Sequence, residues 1–356
     1  MQKYFTLKPL MKINPPWQFA VLIGERSNGK SYAVKNHVLR EYKKNGTRFI
    51  YLRRYQIETK PSYVEGYFRD APVGQIFSDE WEFITCYRGG IYLSRYNEET
   101  GKTDRGDLVG YTAWLSGETH FKSINYNDVT SIIMEEITTA DGYLYNEVQK
   151  LESFVSTVAR RRAIRVFLVG NTISRLCPYF SEFGIDVKSI KQGTISIYDH
   201  ETDQKDDKGN PVVVRVALCF CENSGNNSKM FFGTSSKMIT SGAWQTKSYP
   251  HLPFRYRECR PIYAMLYEYK EFVFKFEVLK TPAGLCVFIH PHTTSKEGFR
   301  MITDRPSIDM KHSREFSTLV KGDALVKTLY DYGKVYYSDN LTGEDFHSII
   351  ADKGGL

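Results

Sequence analysis

The chain has 356 residues, of which 41% are hydrophobic and 25% charged, a balance typical of a globular protein of about two domains. No apolar run approaches the roughly 18 residues that a membrane helix needs, and the N-terminus has no apolar signal segment, so we expect neither membrane insertion nor secretion. The net charge is +7, with most of the basic excess in residues 1–180, which permits contact with a polyanion. The six cysteines form no CxxC pair, which favours reduced thiols.

The first predicted elements form a strand–turn–helix–strand unit. Residues 17–24 predict a buried strand that stops at a glycine, and residues 31–46 predict a helix that ends at Gly46. Residues 47–55 predict a second strand. This order is typical of a parallel α/β sheet.

The turn between this first strand and helix fits the pattern GxxxxGK[ST]. The positions that carry the pattern or lie inside it are Gly24, Ser27, Asn28, Gly29, Lys30 and Ser31. Glycines let backbone amides curl around phosphate oxygens, and the following helix offers the positive end of its dipole to the same anion. We therefore expect Lys30 to reach the β- and γ-phosphates of ATP and the Ser31 hydroxyl to bind Mg²⁺.

A second acidic strand supplies the groups that hydrolysis needs. Residues 84–116 predict strands joined by a polar loop over 97–107, and residues 128–136 predict a buried strand ending in two glutamates. Glu135 stands at the magnesium-side position, where aspartate is the usual residue. Glu136 is the predicted general base for attack of water on the γ-phosphate.

A further strand and its neighbours supply polar and basic residues. Residues 145–162 predict a helix, and residues 164–171 predict a strand that ends at Asn171. In hydrolases with an extra strand between the phosphate-binding strand and the acidic strand, a polar residue here contacts the γ-phosphate or water, a role that we assign to Asn171. An amide that caps a loop is the alternative.

Several arginines lie near the predicted site. We interpret one residue of the run 160–162 as an arginine that enters a neighbouring subunit's site, with Lys122 as a second such cation; a solvated or DNA-facing basic cluster is the alternative. Arg53 and Arg54 follow a strand on the nucleotide side. Their predicted contacts are nucleotide, with Arg53 as the preferred residue, DNA or Glu136.

The pattern of predicted elements changes after residue 180. Residues 193–222 predict a hairpin, residues 221–250 a linker, and residues 271–290 a second hairpin, followed by a helix at 313–333, a strand at 334–339 and a helix at 344–351. We therefore expect an ATPase domain over 1–190, a hairpin and linker region over 191–250, and a smaller α+β domain over 251–356.

Several segments resemble the genome-packaging ATPases of small podoviruses of the phi-29 type. In chain order they are GERSNGKSYAVK, RFIYLRRY, LSGETHFKS, VTSIIMEEI, YNEV, STVARRR and VGN, and the later EFVFKFEV and GLCVFI are similar to that family's second domain. The resemblance implies an additional-strand P-loop ATPase, with Glu136 as catalytic glutamate, Arg160 as the arginine that acts in trans and Lys122 as a second intersubunit cation.

The same resemblance implies the partners and the place of action. It implies a homopentameric ring at the portal vertex of a procapsid in the host cytoplasm, bound to the portal (connector) protein and, in that family, to a packaging RNA. The ring drives double-stranded DNA into the shell at the expense of ATP. A helicase or other ring-shaped nucleic-acid translocase, a terminase with an active nuclease, and a nucleotide-binding scaffold without turnover are the alternatives.

The second domain is expected to resemble an inactive RNase H-like nuclease that serves in docking. Cleavage by that fold needs several carboxylates around two metal ions, and the acids here are scattered. They are Glu277, Asp304, Asp309 and Asp339. His290 and His292 form a lone HxH pair, which we interpret as structural.

Overall fold

The structure of the chain, a computed structural model, describes residues 4–139, 142–187, 189–205, 208–222, 247–269, 272–292, 301–303 and 313–353. The chain divides into two compact units, one formed by Met1–Thr172 with Cys177–Ala243 and the other by Ile173–Leu176 with Trp244–Leu356. Among the helices of these described stretches, none has the length and apolar character that crossing a membrane requires. All six cysteines lie in the described stretches and form no disulfide.

The first unit is built on a nine-stranded sheet. Its strands are β1 (Phe19–Ile23), β2 (Arg48–Arg53), β3 (Phe83–Tyr87), β4 (Gly90–Asn97), β5 (Lys102–Trp114), β6 (Val129–Glu135), β7 (Arg165–Val169), β8 (Thr194–Lys205) and β9 (Pro211–Phe220). Its helices are α1 (Lys8–Met11), α2 (Lys30–Asn45), α3 (Pro61–Phe68), α4 (Val73–Phe77), α5 (Glu147–Ala159) and α6 (Pro178–Glu182).

The strands of this sheet lie in the order β3-β4-β5-β2-β6-β7-β1-β9-β8. The six central strands run parallel, in the spatial order β5, β2, β6, β7, β1 and β9. Strands β4 and β3 extend one edge of the sheet, and β8 extends the other, each with antiparallel pairing. Strands β1, β6 and β7 are buried along nearly their whole length, as expected for a parallel sheet covered on both faces. Strand β7 lies between β1 and β6, which confirms the additional strand that the sequence predicts.

The hairpin of β8 and β9 belongs to this first sheet, although the sequence assigned it to a separate region over 191–250. Strand β9 pairs in parallel with β1, with Leu22 opposite Cys219 and Ile23 opposite Phe220. The apolar end of β9 is buried because it covers the open edge of β1. Most of the predicted linker, residues 223–246, lies outside the described residues.

The turn between β4 and β5 is shorter than the loop predicted over 97–107. Asn97 pairs with Lys102 and Ser94 with Arg105, so residues 102–107 are part of strand β5. These residues are mostly exposed on both faces, and they therefore lack the alternation of apolar side chains that predicts a strand.

The second unit is a smaller α+β unit, as predicted. Its strands are β10 (Arg260–Tyr269), β11 (Phe272–Thr281), β12 (Gly284–Pro291), β13 (Met301–Thr303), β14 (Ser313–Arg314) and β15 (Val335–Tyr337), and its helices are α7 (Lys321–Asp331) and α8 (Asn340–Lys353). The sheet order is β14-β13-β10-β11-β12-β15. Strands β10 to β12 form an antiparallel meander, and the three short strands pair in parallel at its edges. Phe346 of α8 packs edge-on against Phe276 in the core.

The helix predicted over 313–333 begins later than expected. Ser313–Arg314 form β14, and α7 starts only at Lys321. The Asp323 carboxylate accepts hydrogen bonds from the Arg314 guanidinium at 2.7 Å and from the Ser317 amide at 3.0 Å. These bonds hold the segment before α7 in a non-helical path.

Candidate nucleotide-binding site

The predicted phosphate loop connects β1 to α2. Ser27 and Gly29 have left-handed backbone conformations, with φ of 60° and 92°, which turn the chain back toward the start of the helix. A Cβ atom on Gly24 would lie 3.0 Å from Nδ2 of Asn28 and 3.1 Å from Cβ of Cys221, closer than most Cβ contacts, so glycine suits this position. The loop is therefore curled at a helix N-terminus, the arrangement that binds anions through backbone amides.

Lys30 lies at the centre of this loop and is only 5% exposed. Its Nζ donates to the carbonyl oxygens of Glu25 at 2.6 Å and Gly24 at 3.3 Å, and to Oδ1 of Asn28 at 3.2 Å and Asn171 at 3.4 Å. Burial lowers the pKa of Lys30. The loop, its lysine and the residue after β7 thus form one hydrogen-bonded group.

Glu135 ends β6 with a nearly buried side chain that meets the first turn of α2. Its carboxylate accepts a hydrogen bond from the Tyr67 hydroxyl, with 2.8 Å between the oxygens, and another from the Ser31 side chain. Burial raises the pKa of Glu135, while both hydrogen bonds and the charges of Arg53 and Lys35 oppose that rise. The two residues predicted to bind the metal are therefore in direct contact.

The oxygens of Ser31 and Glu135 fit the preference of Mg²⁺, which binds to one or two protein groups and completes its shell with water and substrate phosphates. A glutamate at position 135 fits because Tyr67 satisfies one carboxylate oxygen while Ser31 contacts the same group. The longer side chain is thus accommodated by burial and hydrogen bonding.

Glu136 follows β6 in a left-handed conformation, with φ of 58°, and its side chain is 62% exposed. Nη2 of Arg53 lies 2.7 Å from its Oε2, and the same guanidinium pairs with Glu58. Of the contacts predicted for Arg53, the structure therefore shows the one with Glu136.

A cavity of about 1120 Å³ joins these groups. Its lining includes residues 26–31, Glu135, Glu136 and Asn171, together with residues 4–8, Met11, Lys12, His37 and Arg40. The backbone carbonyl of Asn171 accepts a hydrogen bond from Thr138 at 2.5 Å, which fixes this residue at the cavity wall. The cavity is large enough for a small-molecule ligand of nucleotide size.

Two predicted residues lie away from the cavity. Arg160 is exposed at the end of α5, and its guanidinium donates to the carbonyl of Ile124 at 3.1 Å. Lys122 is also exposed, two residues before Ile124. Neither lines the cavity. Arg162 has a structural role, because it donates to four backbone carbonyls around the turn after α5.

Arg54 is also a structural residue. Its guanidinium forms two hydrogen bonds with the buried carboxylate of Glu147, at 2.7 and 2.8 Å, and the Tyr179 hydroxyl donates to the same carboxylate at 2.7 Å. Arg54 is 6% exposed. The guanidinium also donates to the backbone carbonyl of Glu136 at 3.3 Å, so the structure shows its predicted contact with Glu136, whereas its contacts with nucleotide and DNA stay predictions.

The sequence analysis missed residues from three segments. Tyr67, of α3, bonds Glu135 from 68 positions away, and Lys35 of α2 stands 4.5 Å from the centre of the Tyr67 ring. The N-terminal segment 4–12 lines the cavity. Alternation and short motifs carry no signal for such contacts, since each depends on the pairing of distant segments.

The parallel sheet, the curled loop between β1 and α2, the acidic pair after β6 and the intervening β7 define an additional-strand P-loop nucleotide-binding fold. The chain belongs to the podovirus DNA encapsidation protein (Gp16) family, whose sequence profile matches residues 2–204.

Individual relatives agree with this membership. The chain is 35% identical over 168 residues to the DNA packaging protein of Bacillus phage B103 and 33% identical over 168 residues to that of Bacillus phage phi29. Each match covers 46% of this chain, and 47% and 46% of the respective relative. The chain thus aligns with about half the length of these relatives.

Two solved structures are similar to the chain as a whole. One is of the bacteriophage phi-29 viral genome packaging motor assembly, with a TM-score of 0.53 and 21% identity. The other is of the Phi-28 gp11 DNA packaging motor, with a TM-score of 0.50 and 18% identity. Each likeness covers 98% of both chains and supports the fold.

Proposed function

We propose that this chain is an ATP-hydrolysing subunit of a motor that packages double-stranded viral DNA into a procapsid. The observation that carries the proposal is the contact between Ser31 and Glu135 on one wall of a cavity that Lys30 and Glu136 also line. The family and the packaging proteins to which the chain is similar support the choice of DNA packaging as the work done.

The loop residues bind the phosphates in this proposal. The Lys30 ammonium, now held by carbonyl and amide oxygens of the loop, exchanges some of them for phosphate oxygens. Ser31 and Glu135 would hold Mg²⁺, which supplies positive charge to the phosphate oxygens when bound. Residues 4–8 and the exposed face of α2 leave room for the nucleoside.

Glu136 acts as the general base in the proposal. Its exposed carboxylate orients and deprotonates the attacking water, and Asn171 lines the same cavity, where it contacts the γ-phosphate or the water. Arg53 orients Glu136 through its ion pair.

Neighbouring copies of the chain supply further residues to each ATP site in this proposal. Arg160 and Lys122 are exposed, and Arg160 contacts Ile124, two positions after Lys122, which suits two cations that act on another subunit. We place the ring, of five copies, at the portal vertex of the procapsid in the host cytoplasm, with the portal protein and a packaging RNA as partners.

The second unit serves in docking and does not cut DNA in this proposal. Glu277 is committed to hydrogen bonds with Tyr256 at 2.9 Å and an ion pair with Lys275 at 2.7 Å. His290 also contacts it, at 3.4 Å. The described residues contain no group of three or more His, Cys, Asp or Glu side chains placed to hold a metal ion. Two of the acids named above, Asp304 and Asp309, lie outside the described residues, as do residues 293–300, which follow His292.

The first test substitutes the loop lysine Lys30 and the proposed general base Glu136. Lys30→Ala should abolish measurable nucleotide binding and lower DNA-stimulated ATP hydrolysis about 100-fold or more, because the loop loses its phosphate-binding cation. Glu136→Gln should retain binding and lose hydrolysis to a similar extent. The control is Lys44→Ala, an exposed lysine of the same helix α2.

Binding of a labelled ATP analogue and steady-state phosphate release measure the two effects separately. Normal turnover of the Lys30→Ala variant would overturn the site. A wild-type chain that binds nucleotide without any turnover would reduce the protein to a nucleotide-binding scaffold.

A further inference from the structure

An alternating stack of arginines and tyrosines lies on the outer part of the first sheet. The Arg105 guanidinium carbon lies 4.3 Å from the centre of the Tyr87 ring and 5.3 Å from that of Tyr92. The Arg88 guanidinium carbon lies 5.2 Å from the centre of the same Tyr87 ring. We call these four residues the Arg–Tyr stack; it brings two cations onto one aromatic ring.

The Arg–Tyr stack is accessible to a large ligand. It lies on the antiparallel meander β3–β4–β5, which extends the sheet beyond its parallel part. Arg88 stands in the turn after β3, and both arginines are exposed. Tyr87 is 43% exposed. A partner therefore needs no opening of the fold to reach this surface.

The two arginines of the stack carry uncompensated charge. Neither guanidinium has an ion pair or a hydrogen-bond acceptor among the described residues. Asp107, two positions after Arg105 on β5, forms a hydrogen bond with the side chain of Tyr42. By contrast, Arg95 of the same meander lies over the Trp81 ring and pairs with Asp104 at 3.7 Å. One meander thus holds a compensated arginine and two uncompensated ones.

We infer that the Arg–Tyr stack binds the phosphate backbone of double-stranded DNA, the cargo of the proposed motor. A guanidinium over a ring keeps N–H groups available, and its N–H edge matches phosphate in a bidentate geometry. Tyr87 and Tyr92 already face guanidinium groups, so they offer less surface for stacking unpaired bases, which favours a duplex over a single strand. Backbone contacts also suit a cargo of arbitrary sequence.

The inference rests on the proposed function, and its test separates the two. Binding of a fluorescent DNA duplex to the full chain is measured between about 50 and 200 mM salt, where phosphate contacts dominate the salt dependence. The double variant Arg88→Gln/Arg105→Gln should bind about tenfold more weakly at the lower salt. The slope of log affinity against log salt should become shallower by about two, one for each lost phosphate contact.

The matched control is Arg95→Gln, which removes a charge that Asp104 already compensates and should leave affinity and slope within about twofold of wild type. Tyr87→Phe keeps the ring and should bind like wild type, while Tyr87→Ala should weaken binding because Arg88 loses its ring and Arg105 keeps only that of Tyr92. Basal ATP hydrolysis should be unchanged in all these variants, and it also shows that each one is folded.

The outcomes are distinct. If wild type binds duplex DNA and the double variant keeps its affinity and slope, the Arg–Tyr stack is not a DNA site, while the packaging function stands. If the double variant loses affinity for an RNA hairpin and keeps its affinity for DNA, the stack is an RNA site and the inference is wrong. If wild type binds no DNA at any salt, both the inference and the proposed function fail.

Discussion

Glu135 is a glutamate where aspartate is usual, and its neighbours accommodate the longer side chain. The carboxylate is buried, which raises its pKa, whereas the proposed Mg²⁺ site needs it charged. The hydroxyl groups of Tyr67 and Ser31 stabilise the charged form, as do the cations of Arg53 and Lys35. Tyr67 is therefore the residue that makes a longer acid workable here.

Replacement of Tyr67 by phenylalanine tests this role. Tyr67→Phe leaves the ring and removes the hydrogen bond at 2.8 Å, so the pKa of Glu135 should rise and the acid limb of the ATPase pH profile should move to higher pH. The Mg²⁺ concentration for half-maximal hydrolysis should increase about tenfold, a usual effect of losing a group that orients a metal ligand.

The control for Tyr67→Phe is Tyr63→Phe on the same helix α3, where the side chain is 59% exposed. It should change neither the pH profile nor the magnesium requirement. Identical profiles for wild type and Tyr67→Phe would show that the hydrogen bond has no part in metal binding.

At the level of elements, the site is assembled at one edge of the parallel sheet. The carboxyl ends of β1, β6 and β7 meet there because the three strands are parallel neighbours. They deliver the phosphate loop, the acidic pair and Asn171 respectively. This is the edge at which open α/β sheets bind ligands.

In the meander of the second unit, the acid Glu277 is held by ion pairs and hydrogen bonds. On β11, the Glu277 side chain accepts or pairs with three neighbouring groups, which lower its pKa to about 2 although burial opposes the shift. The carboxylate is thus ionised but occupied. Its partners, Tyr256, Lys275 and His290, would have to be displaced before it could bind a metal ion.

Incubation with plasmid tests the absence of cleavage. Supercoiled DNA mixed with the protein and Mg²⁺ or Mn²⁺ should stay supercoiled over hours, because no described cluster of acids holds the two ions that this chemistry needs. A nuclease of the same metal dependence serves as positive control. Nicking that disappears in Glu277→Gln would assign a nuclease site to this unit.

On the scale of the whole molecule, the proposed mechanism needs groups from a second copy of the chain. Arg160 contacts Ile124, two positions after Lys122, and neither Arg160 nor Lys122 lines the cavity of the same chain. In the proposal, the exposed arginine at the end of α5 therefore stabilises the transferring phosphate of another copy. Oligomerisation is therefore part of the proposed catalysis.

Mixing of inactive subunits tests action in trans. Arg160→Ala and Glu136→Gln chains should each be inactive, and their mixture should regain part of the wild-type ATPase rate. The reason is that an intact Glu136 site then receives Arg160 from its neighbour. A mixture of Lys30→Ala with Glu136→Gln chains should have a lower ATPase rate than the first mixture. If Lys30 and Glu136 act within one chain's site, every site in that second mixture lacks one of the two residues. An Arg160→Ala mixture without rescue at any ratio would place the arginine elsewhere.

Several features of this protein follow from local sequence. The phosphate loop is one run of eight residues between an apolar strand and a helix, so the pattern from Gly24 to Ser31 suffices to predict its shape. The acids after β6 and Asn171 after β7 follow likewise from apolar runs that stop at polar residues. Such features depend on consecutive residues, which share one backbone path.

Contacts between distant segments were decided by the tertiary structure. The apolar run of residues 211–220 cannot reveal that β9 covers β1, nor does α3 reveal that Tyr67 reaches Glu135. Strand β10, the partner of β11 in the second sheet, escaped prediction for the same reason. Local patterns encode which face of a segment is buried, whereas the neighbour that buries it depends on the packing of the whole chain, where many pairings satisfy the same pattern.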